Sequence, residues 1–237
     1  MVHTEILLPP NAPTEYKDRA TLWNAVERVE KAKNSQLARE IELALPVDLT
    51  LLQNQNLVRE YVKKHFIVNG MCADIAIHNS KDGNPHAHIM LTMRPFNEDK
   101  TWGDKQKKVY IPDKHGNKIY DPVKRQYKCN KIQTTDWNER HKAEEWREAW
   151  TDITNRYLEE LNLPERIDHR SYKRQGKSQI PTIHLGVSAY QMEKRGIRTE
   201  LGDINRAIEI SNRKLRQIEE QLNELQGWLD EEKANPE

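Results

Sequence analysis

Apolar and polar positions follow two periods along the chain, and their alternation predicts the elements. His3, Ile6, Leu7 and Leu8 ahead of Pro9-Pro10 read as a strand with no lead-in before it. From about Thr14, the residues Tyr16, Ala20, Trp23, Val26 and Val29 recur at helical spacing, with Ala12-Pro13-Thr14 as the start signal. Leu37, Arg39, Ile41, Leu43 and Leu45 then alternate with Glu40 and Glu42, a strand that stops at Pro46. Thr50 with Gln53 forms a capping-box start for a second helix reaching about Val68. Ala73 to Ile77 and Ile89 to Met93 are short apolar runs around a polar loop, which predicts a β-hairpin turning near Asp82-Gly83. Residues 94–133 are polar and irregular, with a small exposed hairpin expected between 109–111 and 118–120. Trp137, Ala143, Trp146, Trp150, Ile153, Tyr157 and Leu161 predict a helix from about Asp136 to Leu161, its tryptophans in the core. Residues 165–187 read as a loop, and most of 188–234 as helix, open to a break near Gly196 or Gly202. In that helix Ile204, Ile208, Ser211, Leu215, Ile218, Leu222, Leu225 and Leu229 keep the alternating four-three spacing of a coiled-coil seam.

The expected class is α+β: a largely antiparallel sheet carrying a histidine hairpin, helices packed on one face, and a long C-terminal helical extension. The expected division is a domain over 1–187 and a helical extension over 188–237. With 36% hydrophobic and 32% charged residues in a chain of 237, a core is available but much of the chain is exposed. No apolar run approaches the roughly 20 residues that span a bilayer, and no secretory leader is visible. Two cysteines are too few for a disulfide framework, so a reducing cytoplasm is the expected compartment. The net charge of +1 conceals opposed blocks. Residues 100–140 hold 11 Lys and Arg against 5 Asp and Glu, and residues 166–198 hold 8 against 2. Residues 199–237 reverse this, with 5 against 10. A basic middle makes a polyanionic partner a direct expectation.

The chemistry concentrates in the hairpin. His86 and His88 lie two apart on a strand, so both rings leave the same face of the sheet. His78 ends the partner strand, where cross-strand Cβ atoms lie about 4.5–5.5 Å apart. Three imidazoles converging from two strands suit a divalent metal with open positions for a phosphate oxygen and water. An exposed cluster with no ligand is the alternative.

The His86-Ala87-His88 motif with its upstream His78 resembles the HUH endonuclease superfamily. Five ordered blocks narrow this: residues 2–10, 39–46, 76–90, 166–172 and 179–186. Together they resemble the MobA/MobL family of plasmid mobilisation relaxases over nearly residues 1–200. The resemblance implies transesterification at a plasmid origin of transfer, in which a tyrosine attacks the scissile phosphate to leave a 5′-phosphotyrosyl ester and a free 3′-hydroxyl. It implies a divalent ion, Mg²⁺ or Mn²⁺ with Zn²⁺ as a further candidate, held by His78, His86 and His88. It also implies single-stranded and duplex origin DNA as partners, alongside other mobilisation proteins. The family nucleophile lies ahead of the segment matching residues 2–10, behind a further strand, so the chain is expected to lack both; Tyr16 matches no family nucleophile and is expected to pack. A non-catalytic origin-binding fragment that retains the metal site is the alternative function, and a water-using metal phosphohydrolase a third.

Other candidates follow from charge and placement. Glu40, and less so Glu42, is expected beside the histidines, to orient an imidazole through its second nitrogen or to act as a base. Arg170, Lys173 and Arg174 in the basic loop are candidate phosphate contacts. Lys105, Lys107 and Lys108, interleaved with Trp102, Tyr110, Tyr120 and Tyr127, suit a single-stranded nucleic acid channel. The 204–229 seam adds helical self-association as an expectation.

Overall fold

A computed structural model describes residues 2–79 and 83–234, so the Asp82 half of the expected turn lies outside the described residues. The chain forms two compact units, Met1–Asp168 and His169–Glu237.

The first unit is built on a four-stranded sheet of β1 (His3–Leu7), β2 (Ala38–Ala44), β3 (Ala73–His78) and β4 (His86–Thr92). Its order is β1-β3-β4-β2, and every neighbouring pair is antiparallel. Alternation assigns the faces. Leu43, Ile75, Ile77, Ala87, Ile89 and Leu91 are buried against Leu57, Val58, Tyr61 and Val62 of α2 (Leu51–Val62) and Trp150, Ile153 and Leu158 of α3 (Lys142–Glu160). Full burial of each large aliphatic there is worth about 1.5–3 kcal/mol, which fixes strand register: a slip of one residue would turn the set to solvent. Thr50 and Gln53 form the expected reciprocal cap of α2. The helix ends in a wider π turn, Lys63–Ile67, which delivers fully buried Phe66 edge-on to Tyr61 at 5.3 Å and to Trp146 at 5.2 Å. Arg39, on the core side of β2, donates to the Trp137 carbonyl and Asn138 and lies over the Trp146 ring, tying the edge strand to the α3 region.

The opposite face is covered at one end only. A short 3₁₀ turn, Thr14–Lys17, precedes α1 (Arg19–Val29), whose N-cap Asp18 accepts from the Thr21 amide at 2.8 Å. Leu22 and Val26 bury beside Cys72, with Ile6, Tyr16, Phe96 and Trp102 packed around them. Arg19 grips buried Asp74 through two bonds of 2.6 and 2.7 Å, and the Trp23 indole adds a third at 2.9 Å. The rest of this face is left to the histidines.

Residues 94–133 hold more strand than their pattern predicts. The turn at 113–117 is present, with Ile119 donating to the Ile111 carbonyl. The longer pairing, however, joins β5 (Gln106–Tyr110) to β8 (Cys129–Gln133), enclosing β6 (Tyr120–Asp121) and β7 (Gln126–Tyr127). Neither face of this ribbon is buried, so no apolar alternation marks it. Helix α3 begins at Lys142, six residues later than expected, after turns in which Lys142 pairs with Asp136 at 2.8 Å.

In the second unit α4 (Gly186–Lys194) ends at Gly196, whose φ of +80° glycine takes without strain. Gly202 does not break α5 (Glu200–Ala234). It lets Glu193 of α4 approach: a Cβ there would stand 1.9 Å from a Glu193 carboxylate oxygen. An extended strap, residues 178–183, runs along α5. Asn205 brackets the backbone of Ile183 and Asn212 that of Ile180, each accepting from the N–H and donating to the C=O at 2.8 Å. Ser178 at the start of the strap donates to Glu219, and beyond it Leu222, Leu225 and Leu229 are about half exposed.

Candidate metal centre

The register places the chemistry in rows across the sheet. His78 of β3 faces His86 of β4, with Ala44 of β2 on the other side; one row along, Ala76, His88 and Glu42 align. Alternation sends these side chains to the face away from the core. Ala44 and Ala76, their neighbours in these rows, add only methyl groups to this face. The His78 and His86 rings stack with centroids 5.1 Å apart, and His88 stands edge-on to both, at 5.3 and 5.1 Å. The three rings foreseen in the sequence therefore lie against one another on one face.

The outer bonds fix which nitrogens are available. His86 Nδ1 lies 2.9 Å from the Asn84 carbonyl and His88 Nδ1 lies 2.8 Å from Glu40 Oε1. A carbonyl and an ionised carboxylate only accept, so each Nδ1 carries the proton and each Nε2 keeps its lone pair for a ligand. Glu40 thus stands where an orienting carboxylate was expected. Desolvation, with the neighbouring His86 and His88, holds the His78 imidazole below its ordinary pKa, which favours the neutral, ligating form.

Glu42 enters the cluster more directly than its sequence reading allowed. It lies directly across from His88, and one ligand atom from each of Glu42, His86 and His88 falls within 4.8 Å of the others. The pairing of β2 with β4 makes this so, and α2 separates those strands in sequence. Three imidazoles with a carboxylate fit Mn²⁺ or Zn²⁺ better than Mg²⁺, which favours oxygen ligands.

The basic candidates part company. Lys105 is committed: its ammonium lies 2.7 Å from Glu30 and 2.6 Å from the Gln36 carbonyl. Burial would raise the Glu30 carboxyl, but Arg94, Lys105 and Ser35 outweigh it and hold it low. Lys107 and Lys108 lie on β5, exposed along its whole length. Trp102 stacks on Phe96 at 4.3 Å and on Tyr16 at 5.6 Å, so it anchors its loop, and Tyr16 takes the packing role expected of it. Arg170, Lys173 and Arg174 belong to the second unit, in a turn where Gln175 donates to the Arg170 carbonyl and Lys177 lies over Tyr172. Among the described residues no helix is long and apolar enough to cross a membrane.

Comparison with known proteins places this geometry. Conjugal transfer protein TraA of Agrobacterium fabrum is 37% identical over 216 residues, 85% of this chain and 19% of TraA. The probable mobilization protein MobA of Bifidobacterium longum is 34% identical over 235 residues, 92% of this chain and 41% of that protein. Mobilization protein A of Escherichia coli is 33% identical, over 87% of this chain and 28% of that protein. The chain thus spans between about a fifth and two fifths of these relatives. A solved structure from work on the molecular basis of vancomycin resistance transfer in Staphylococcus aureus shares 35% identity and a TM-score of 0.59, over 72% of this chain and 76% of that one. The MobA/MobL family profile matches residues 1–195, and the chain belongs to the MobA/MobL family.

Proposed function

We propose that this chain is the metal-binding and DNA-binding part of a cytoplasmic relaxase, which nicks and rejoins one strand at a plasmid origin of transfer by transesterification. The observation that carries the reading is the three-histidine face, where bonds at Nδ1 leave the Nε2 atoms of His86 and His88 available. His78, His86 and His88 are the proposed ligands, with Glu42 as a fourth. Glu40 is a positioning residue, which fixes the ring of His88. A bound divalent ion supplies Lewis-acid polarisation of the scissile phosphate. Lys108, Arg170, Lys173 and Arg174 are proposed phosphate contacts; Lys105 leaves that set because Glu30 holds it, and Lys107 because pairing turns it to the opposite face of β5 from Lys108. For self-association we propose only the 222–229 part of the seam, which lies past the bond from Ser178 of the strap to Glu219.

Calorimetry with Mn²⁺ tests the site. One ion should bind per chain, and the His86→Ala/His88→Ala double variant should abolish the signal. Glu40→Gln should weaken binding roughly tenfold, the usual cost of losing an outer carboxylate. A double variant that binds Mn²⁺ like the parent would sink the assignment. In the full-length protein the same double variant should lose relaxation of a supercoiled origin plasmid; origin binding by the parent without relaxation selects the non-catalytic reading.

A further inference from the structure

We propose that one face of the β5–β8 ribbon, that of Lys108 and Lys131, is a seat for single-stranded DNA and that the other face is not. The inference rests on the DNA-binding reading above and refines it to a surface. Pairing sets Lys108 directly across from Lys131 and Tyr110 across from Cys129, on one face. Lys107 across from Ile132 and Val109 across from Asn130 take the other. Like charges directly opposed weaken a two-stranded ribbon, and among the described residues neither Lys108 nor Lys131 has an acidic partner. Opposed lysines therefore do nothing for the fold.

The same face carries the aromatics. Tyr110 meets Tyr127 edge-on at 6.2 Å, Tyr127 meets Tyr120 at 5.4 Å, and the Lys118 ammonium stands 4.1 Å over the Tyr110 ring. These tyrosines are 39%, 48% and 52% exposed in the order 110, 127, 120, too open for core packing. Lys108 and Lys131, without acidic partners, beside half-exposed rings match an anionic chain with stacking faces: phosphates meet the two lysines, and bases lie on the tyrosine faces that Lys118 does not cover. Within β5 and β8 the opposite face offers one cation, Lys107, with Val109 and Ile132, which are about half exposed. That face has nothing to stack on a base.

Adjacent residues on opposite faces make the test sharp. Binding of the full chain to fluorescent dT20 and to a 20-base-pair duplex is followed by anisotropy, without metal. Lys108→Glu should weaken dT20 binding about tenfold at 0.1 M salt, while Lys107→Glu, with the same change in net charge, should cost less than about twofold. Lys108→Ala should flatten the slope of log K against log salt by about 0.7, the loss of one single-strand phosphate contact. Tyr110→Ala should weaken dT20 about fivefold and leave the duplex unchanged, since stacking needs open bases. Equal losses from Lys107→Glu and Lys108→Glu would mean a diffuse charge effect and overturn the assignment of a face. A Tyr110→Ala effect equal on both DNAs would overturn the single-strand assignment. Failure of the parent chain to bind either DNA would overturn the DNA reading itself, whereas a silent ribbon in a chain that binds overturns only this inference.

Discussion

Asp74 is the residue on which the seat of α1 depends. Its side chain is 6% exposed, and Arg19 is the cation that satisfies it. Arg19→Ala leaves a buried carboxylate held by the Trp23 indole; the cost should be about 2 kcal/mol, below the 3–5 kcal/mol of a fully buried pair because Arg19 is half exposed. Chemical denaturation checks this, and an unchanged midpoint would show that α1 does not rely on the pair. At this scale the sequence is partly legible. His78, His86 and His88 declare themselves because a two-residue period in a hairpin fixes which side they leave. Glu42 and Lys105 do not, because their partners lie on segments whose pairing no local pattern encodes.

Elements show the same division. α2 announces itself by its reciprocal cap, and the hairpin by two apolar runs around a polar turn, since both signals are local. The β5–β8 ribbon stays silent because exposure on both faces removes the alternation that burial imposes. Gly202 misleads: glycine in a helix pattern suggests a break, but here it makes room for Glu193 of a neighbouring helix. The strap on α5 gives an element-scale prediction. Asn205→Ala with Asn212→Ala removes four bonds to the backbone of two residues, so amide exchange at Ile180 and Ile183 should rise at least tenfold while α5 itself stays protected. Unchanged exchange would mean the strap is held by other contacts.

In the molecule as a whole, acid response is set by carboxylates that join helices. Burial alone would raise the Glu60 carboxyl, but Lys64, Arg156 and Tyr157 bind it strongly enough to hold it at about 2. Its pKa is depressed on folding, so its contribution is full above about 4.5 and is lost as pH falls towards 2. Glu60→Gln should therefore lower Tm at pH 7 and lose less Tm than the parent between pH 5 and pH 3. Parallel Tm curves for the two proteins would contradict the linkage. The α+β class was legible at this scale because periods of 2 and 3.6 alternate along the chain. Strand order was not, since β1 and β2 become opposite edges only once β3 and β4 have paired between them.

The strap and α5 also work as a vernier. Seven residues of helix rise about 10.5 Å and three residues of extended chain about 10 Å, so Asn205 and Asn212 fall in step with Ile183 and Ile180. The match is between two rulers of different pitch, and it tolerates change only in compound units. One residue inserted between the asparagines turns the second by about 100° and takes it off the strap, and no adjustment of the strap alone restores it. Seven residues added to the helix with three added to the strap would keep both marks aligned. Length variation here should therefore come in matched pairs of seven and three, or lie outside the two marks.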